Sequence, residues 1–325
     1  MVKFISPDKA GLLSTVLESI LYGFSVLMFI LTMWVLIRGR GKSKINIPMV
    51  VVSMLLFILS TIHIGVDINR LNSGFIVYRD SFPGGPAAWF ANPSEKSFVF
   101  KNAVYTLQTV LGDGVVIFRC YKVWQSFWII VIPCILWCGV AIAGSGSVYT
   151  CTTPLADPTS IYALQLGRWI KAFYSTTLAC NFTATALLSY KLWSINKQVA
   201  ATRVGRGVVL PVLLIVIDAG VLYSVTLVAA LTCFALNSNG QYVVLDMVTP
   251  IISIAFYLVI LRIGVARSKT LSGSAVSTLN TTMPRLPLSR TDGNNRMKIQ
   301  IDVEQEFDQE TREEYSVKGS RGHAM

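Results

Sequence analysis

The sequence predicts an all-α fold: a seven-transmembrane helical bundle with the N-terminus outside and the C-terminus cytoplasmic. Three observations predict it. Seven long apolar runs fill residues 11 to about 264, and a run of about 20 apolar residues spans a bilayer as a helix. Basic residues concentrate in every second connection between the runs, and Lys and Arg in short loops mark the cytoplasmic side. Charged residues make up only 14% of the chain and the mean hydropathy is +0.57, whereas a soluble globular domain carries about a quarter charged residues.

A short outer segment, 1–10, precedes spans at 11–37, 47–66, 98–120, 126–148, 169–190, 208–234 and 243–264. The first run continues into Arg38-Gly39-Arg40. It is longer than the apolar region of a signal peptide, so it is expected to be a retained helix. The connections after spans one, three, five and seven carry Arg38, Arg40, Lys42 and Lys44, then Lys122, then Lys191, Lys197, Arg203 and Arg206, then Arg267 and Lys269. The opposite side offers Lys3, Lys9, Arg70, Arg79, Lys96 and Arg168, an 11 to 6 excess for the inner side. Residues 1–264 hold 19 Lys+Arg against 9 Asp+Glu. Scattered over short inter-span connections, these cations suit anionic lipid headgroups and not nucleic acid. The longest outer connection, 67–97, contains Phe82-Pro83-Gly84-Gly85-Pro86 followed by Trp89 and Phe90, aromatics that either lie on the membrane surface or lid a vestibule. The last part, 265–325, is Ser/Thr-rich and then acidic over 302–314. With little apolar material it is expected to be a disordered cytoplasmic tail. Its Ser268, Ser272, Ser274, Ser277 and Thr278 lie near basic residues and suit a kinase. The alternating Ile299, Ile301 and Val303 suit strand addition to a signalling partner.

Polar residues inside the spans are costly in hydrocarbon and normally face the bundle interior. In the third span Lys101, Tyr105, Gln108, Gly112 and Arg119 fall within an arc of about 60°. Asn102, Thr106, Thr109, Asp113 and Cys120 form a second stripe about 100° further round. This helix is therefore expected to be the most enclosed of the bundle. On the second span His63, Asp67 and Arg70 share one face by their i, i+4, i+7 spacing. With Lys101, Tyr105, Gln108 and Asp246 they make a candidate binding site for an anionic or zwitterionic small ligand, set against a plain belt of snorkelling and capping charges. Toward the inner end, Asp113 and Arg119 are about 240° apart on one helix and cannot pair with each other. Asp218 on the sixth span is the candidate partner for Arg119, forming either a latch between helices three and six or a static packing pair. Asp113, Arg119 and Asp218 are thus the candidate switch or relay residues. Glu18 is one further intramembrane carboxylate.

Catalysis is not expected. The chain has two histidines, His63 and His323, so a three-histidine zinc hydrolase is excluded, and no metal or cofactor is expected. Gly144-Ser145-Gly146 has no histidine after it within the membrane, and the seventh span has no lysine for a retinal Schiff base. Of six cysteines, Cys151 and Cys233 lie nearest the outer side, and whether they pair stays open.

The blocks STIHIGVDINR (60–70), LGDGVVIFRCYKVW (111–124), VIDAGVLYS (216–224) and TPIISIAFYLVILRIGVA (249–266) resemble those of a large seven-span family of basidiomycete fungi with no assigned ligand or reaction. The resemblance covers nearly all of 11–266 and implies an integral membrane protein of seven helices, without assigning functional residues. The layout is also similar to G-protein-coupled receptors, with departures: Phe118 precedes Arg119-Cys120-Tyr121, and the seventh span has Thr249-Pro250 and Tyr257. The expected function is a receptor-like sensor of an external small ligand at the plasma membrane, signalling through inner loops and tail. The alternative is a small-solute or lipid transporter using intramembrane carboxylates, and the third reading is a structural membrane protein.

Overall fold

The computed structural model describes residues 5–38, 47–152, 161–200, 209–236 and 238–279. The chain divides into two units, Met1–Ser277 and Thr278–Met325; the second falls outside the described residues apart from the end of its entering helix. The first unit is all-α. Its elements are α1 (Pro7–Arg38), α2 (Ile47–Asn72), which runs on into a π-helical turn (Ser73–Val77), a short α3 (Gly85–Ala91), α4 (Lys96–Trp124), α5 (Phe127–Thr152), α6 (Ile161–Ala200), α7 (Val209–Ala235) and α8 (Gly240–Leu279). Each apolar run read from the sequence lies within one of the seven long helices, to within a residue. Among the described residues, five stretches are long and apolar enough to cross a membrane: Pro7–Ile37, Ile47–Val77, Phe127–Thr152, Leu214–Ala235 and Gly240–Gly264.

The distribution of side chains identifies the solvent. Along α1, Ser14, Glu18, Ser25 and Thr32 are buried while Leu12, Val16, Ile20, Leu27, Ile30 and Trp34 are exposed. A soluble helix would show the reverse pattern. Polar groups turned inward and hydrocarbon turned outward fit a bilayer, where unsatisfied polar groups facing lipid are prohibitive. The protein is a multi-span membrane protein.

α4 packs against α2, α5 and α6, and α6 against α5 and α7, while α1 joins α2 and α3. α8 is the most enclosed helix. In the most apolar 18-residue stretch of its span 72% of residues are buried, against 22–33% in the corresponding stretches of the other four apolar spans. This corrects the expectation for the third span: α4 turns its polar stripes inward but leaves Leu107 and Phe118 exposed. α8 buries both its polar residues, Asp246, Thr249 and Ser253, and its apolar ones, such as Val248, Ile252 and Phe256, as a helix enclosed on most sides does. Pro250 lies inside α8 and Pro133 inside α5.

The connection 67–97 is mostly ordered. α2 continues past residue 66, the π-turn closes with Tyr78 N–H donating to the Ser73 carbonyl at 2.8 Å, and α3 follows. Gly84 precedes α3 at φ 88°, a left-handed conformation that a side chain resists. Gly74 lets α3 close: a Cβ there would lie 2.6 Å from the Phe90 ring and 2.7 Å from Trp89. At the other end α8 extends to Leu279, so the region expected to be a disordered tail from 265 begins as helix. The phosphorylation candidates Ser268 to Thr278 lie on that helix, and the rest of the tail lies outside the described residues. All six cysteines are free, so Cys151 and Cys233 do not pair.

Candidate functional site: a buried ionic cluster

Four helices contribute one charged layer near the α3 end of the bundle. α1 supplies Glu18, α2 His63 and Asp67, α4 Lys101, and α8 Asp246. All five are buried, with relative exposures of 0–6%. His63 Nδ1 lies 2.6 Å from Glu18 Oε1 and 3.6 Å from Asp67 Oδ2. Lys101 Nζ donates to Asp67 Oδ1 at 2.5 Å and makes an ion pair with Asp246 Oδ1 at 2.7 Å. Three carboxylates thus surround one ammonium and one imidazole. Buried charges must be compensated nearby, or their desolvation is not repaid. A fully ionised trio with a neutral imidazole leaves the layer short of positive charge, and the site is suited to hold a further cation or proton.

Arg70 caps this layer. Its guanidinium sits 5.0 Å from the Trp89 ring, 5.6 Å from Phe90 and 4.9 Å from Phe98. It donates to the Phe90 carbonyl and the Ser97 hydroxyl, both at 3.4 Å. Cation–π contacts of this kind contribute about 0.5–2 kcal/mol each. Asn72 ends α2 beside it, and Gly74 admits the Trp89 and Phe90 rings of α3, so the aromatic box closes over Arg70. The loop aromatics therefore form a lid over the charged layer. A small cavity of about 20 Å³ lies between lid and cluster, touching Arg70, Asp67, Lys101 and Asp246.

Beneath the cluster runs a neutral polar seam. Gln108 Nε2 reaches the Thr249 carbonyl at 2.7 Å, Ser60 Oγ at 2.9 Å and Ser253 Oγ at 3.1 Å. One turn deeper on α8, the Tyr257 hydroxyl donates to the Ser53 carbonyl at 3.1 Å. The seam repeats at seven-residue intervals: Ser53, Ser60 and Asp67 on α2, Lys101 and Gln108 on α4, Asp246 and Ser253 on α8. A seven-residue step keeps side chains on nearly one face, so the spacing itself builds a polar plane through the bundle.

Of the six ligand-site candidates, His63, Asp67, Lys101 and Asp246 come together. Gln108 belongs to the seam below. Tyr105 faces elsewhere: its ring packs edge-on to Phe173 at 5.7 Å, and it lines a separate cavity of about 80 Å³ with Asn102, Ser147 and Tyr242. Glu18, which the sequence reading left unassigned, completes the cluster. Its signal was the α1 stripe of Ser14, Glu18, Ser25 and Thr32.

Of the switch candidates, Asp113 and Arg119 border one cavity and Asp218 stands apart. Asp218 is exposed, while Arg119 lies 4.8 Å over the Phe256 ring, so the proposed latch between them is not formed. Azimuth is the reason. α7 buries Ala219, Tyr223, Leu227 and Ala230, and Asp218 sits beside the outward set of Val221, Leu222 and Val225. Asp113 is buried, and its Oδ2 has no hydrogen-bond partner.

The ligand atoms of Glu18, His63 and Asp67 all lie within 4.8 Å of one another, close enough to share one metal ion. One imidazole nitrogen with two carboxylates is a donor set that suits first-row divalent metals. Compared with family models, with curated proteins and with solved structures, the chain has no match, so the functional reading rests on this geometry.

Proposed function

We propose that the protein is a membrane transporter that uses its intramembrane carboxylates to couple movement of a small solute or lipid to a cation, either a proton or a metal ion. The observation that carries this reading is the Glu18–His63–Asp67–Lys101–Asp246 layer drawn from four separate helices. A purely structural role is a poor fit, since apolar packing of the same volume would be equally stable or more so. Ionisable groups at such depth characteristically mark ion or proton paths. Ion occupancy changes the charge balance at a point where α1, α2, α4 and α8 meet, which gives ion and solute a shared set of moving parts. Glu18, His63 and Asp67 take the relay role first assigned to Asp113 and Asp218.

The fuller topology belongs to this proposal. α4 and α6 supply two further crossings beside the five apolar spans, making seven, with the N-terminus outside, the tail in the cytoplasm and the plasma membrane as the site of action. The resemblance to the seven-span fungal family is consistent with that count. A receptor-like reading draws on one observation, the aromatic lid over the cluster. It differs in requiring ligand binding without net flux.

The test is reconstitution of the full chain in liposomes with a trapped pH dye or metal indicator, and an imposed proton or metal gradient. Wild-type protein is expected to dissipate the gradient. E18Q and D67N are expected to slow it by at least about tenfold, the scale on which ligand-shell changes act, while helical content and monodispersity are kept. Gradients that persist with wild-type protein, for protons and for manganese and zinc alike, would remove the proposal.

A further inference from the structure

A further cavity, with mostly apolar walls and a few polar groups, lies away from the ionic layer, among α4, α6, α7 and α8. It measures about 70 Å³ and is lined by Asp113 and Arg119 of α4, Asn181 and Thr185 of α6, Tyr223 of α7 and Phe256 of α8. Asn181 is committed: its amide donates to the Gly220 carbonyl at 3.2 Å and to Ser224 Oγ at 2.8 Å. The other polar groups are not. Asp113 Oδ2, Arg119 Nη2 and the Tyr223 hydroxyl are buried without a hydrogen-bond partner. Neither Asp113 nor Arg119 has an ion-pair partner among the described residues. An unpaired carboxyl and an unpaired guanidinium therefore line one cavity without touching each other.

Helix geometry explains the separation. Six residues give an axial rise of about 9 Å and a rotation of about 240°. Helical side chains lean toward the N-terminus, so Arg119 reaches back toward the level of Asp113, and both border the same space. The Phe256 ring beneath the guanidinium holds it in place without satisfying its hydrogen-bond donors. A buried donor or acceptor left unpaired is costly, and the cost is recovered when a partner arrives.

We propose that this cavity binds a small zwitterion, with its ammonium group at Asp113, its carboxylate or phosphate at Arg119, and the Tyr223 hydroxyl as a further polar contact. A single charge of either sign would leave one of the two side chains uncompensated, whereas a zwitterion pairs both and adds no net charge to the bundle. This assigns the solute class of the proposed transporter, and so rests on that reading for its physiological meaning. The binding itself does not depend on it.

Calorimetric titration of the purified full chain in lipid nanodiscs tests the assignment, with γ-aminobutyrate, L-serine and phosphoethanolamine as probes and ethylamine and propionate as single-charge controls. At least one zwitterion is expected to bind about tenfold more tightly than both controls, a difference of about 1.4 kcal/mol. D113N and R119Q are each expected to abolish that preference, and R119K to retain part of it should R119Q fail to fold. D67N is expected to leave zwitterion binding intact even where it stops flux, which separates failure of this site from failure of the transport reading. Nanodiscs with and without phosphatidylethanolamine distinguish the sources: competition by the lipid identifies a headgroup, and its absence a free solute. The proposal is overturned if no zwitterion binds, if the single-charge controls bind equally well, or if D113N binds as wild type does.

Discussion

Lys101 is the residue on which the charged layer turns. It contacts Asp67 and Asp246 at once, and no other ammonium among the described residues enters the layer. Lys101→Met would take from two buried carboxylates the ammonium they pair with, a loss that costs about 3–5 kcal/mol. Thermal unfolding of K101M in detergent is expected to show that loss, and the double variant K101M/D67N a smaller one. A K101M protein as stable as wild type would mean the layer is compensated in another way. Much of this was legible in the sequence, because each charge in a span is individually conspicuous. What could not be read was azimuth. Depth along a helix follows roughly from residue number, which made Asp218 an approximate match in depth for Arg119. Which way it points depends on packing, and α7 presents Ala219 and Tyr223 to the interior instead. Glu18 shows the converse: the sequence marks it as an intramembrane acid, but its partner His63 is defined only by the packing of α1 on α2.

At the scale of elements, the seven long helices were legible because apolar runs of this length have few other stable forms. The ordered connection between α2 and α4 was not. Its glycines and prolines read as turns, yet Gly74 serves close packing and Gly84 a left-handed entry to α3. Both depend on contacts that no local pattern encodes. Gly74→Ala is expected to displace the Trp89 and Phe90 rings and destabilise the lid by about 1–3 kcal/mol. Hydrogen exchange across residues 73–91 is the measurement: faster exchange confined to the lid fits, whereas unchanged protection would show that the rings adjust at no cost. The helical continuation of α8 to Leu279 was likewise hidden, since Ser, Thr and Gly in that stretch lower helix propensity while the preceding helix supplies the nucleus that propagation needs.

For the whole molecule, burial reverses the soluble order: ionisable side chains meet at the centre and hydrocarbon faces outward. The orientation argued from basic loops has a direct check. Accessible tags at residue 2 and after residue 279 are expected on opposite sides of the membrane in intact cells, and tags on the same side would overturn the seven-crossing count. The packing also sets α8 apart, as it carries Asp246, Thr249, Ser253 and Tyr257 and touches both the ionic layer and the cavity of Asp113 and Arg119.

Pro250 sits in that helix one turn below Asp246. Proline has no amide hydrogen, so the Asp246 carbonyl lacks the backbone donor that a helix normally provides four residues on. The chain therefore carries a joint immediately under its most highly charged layer: the segment bearing Asp246 can tilt with one fewer backbone hydrogen bond to strain. Replacing Pro250 with Ala would weld that joint, at a gain of about 3 kcal/mol in helix preference. A P250A protein should melt higher and turn over more slowly, and one that melts higher with undiminished flux would show that α8 works as a rigid rod.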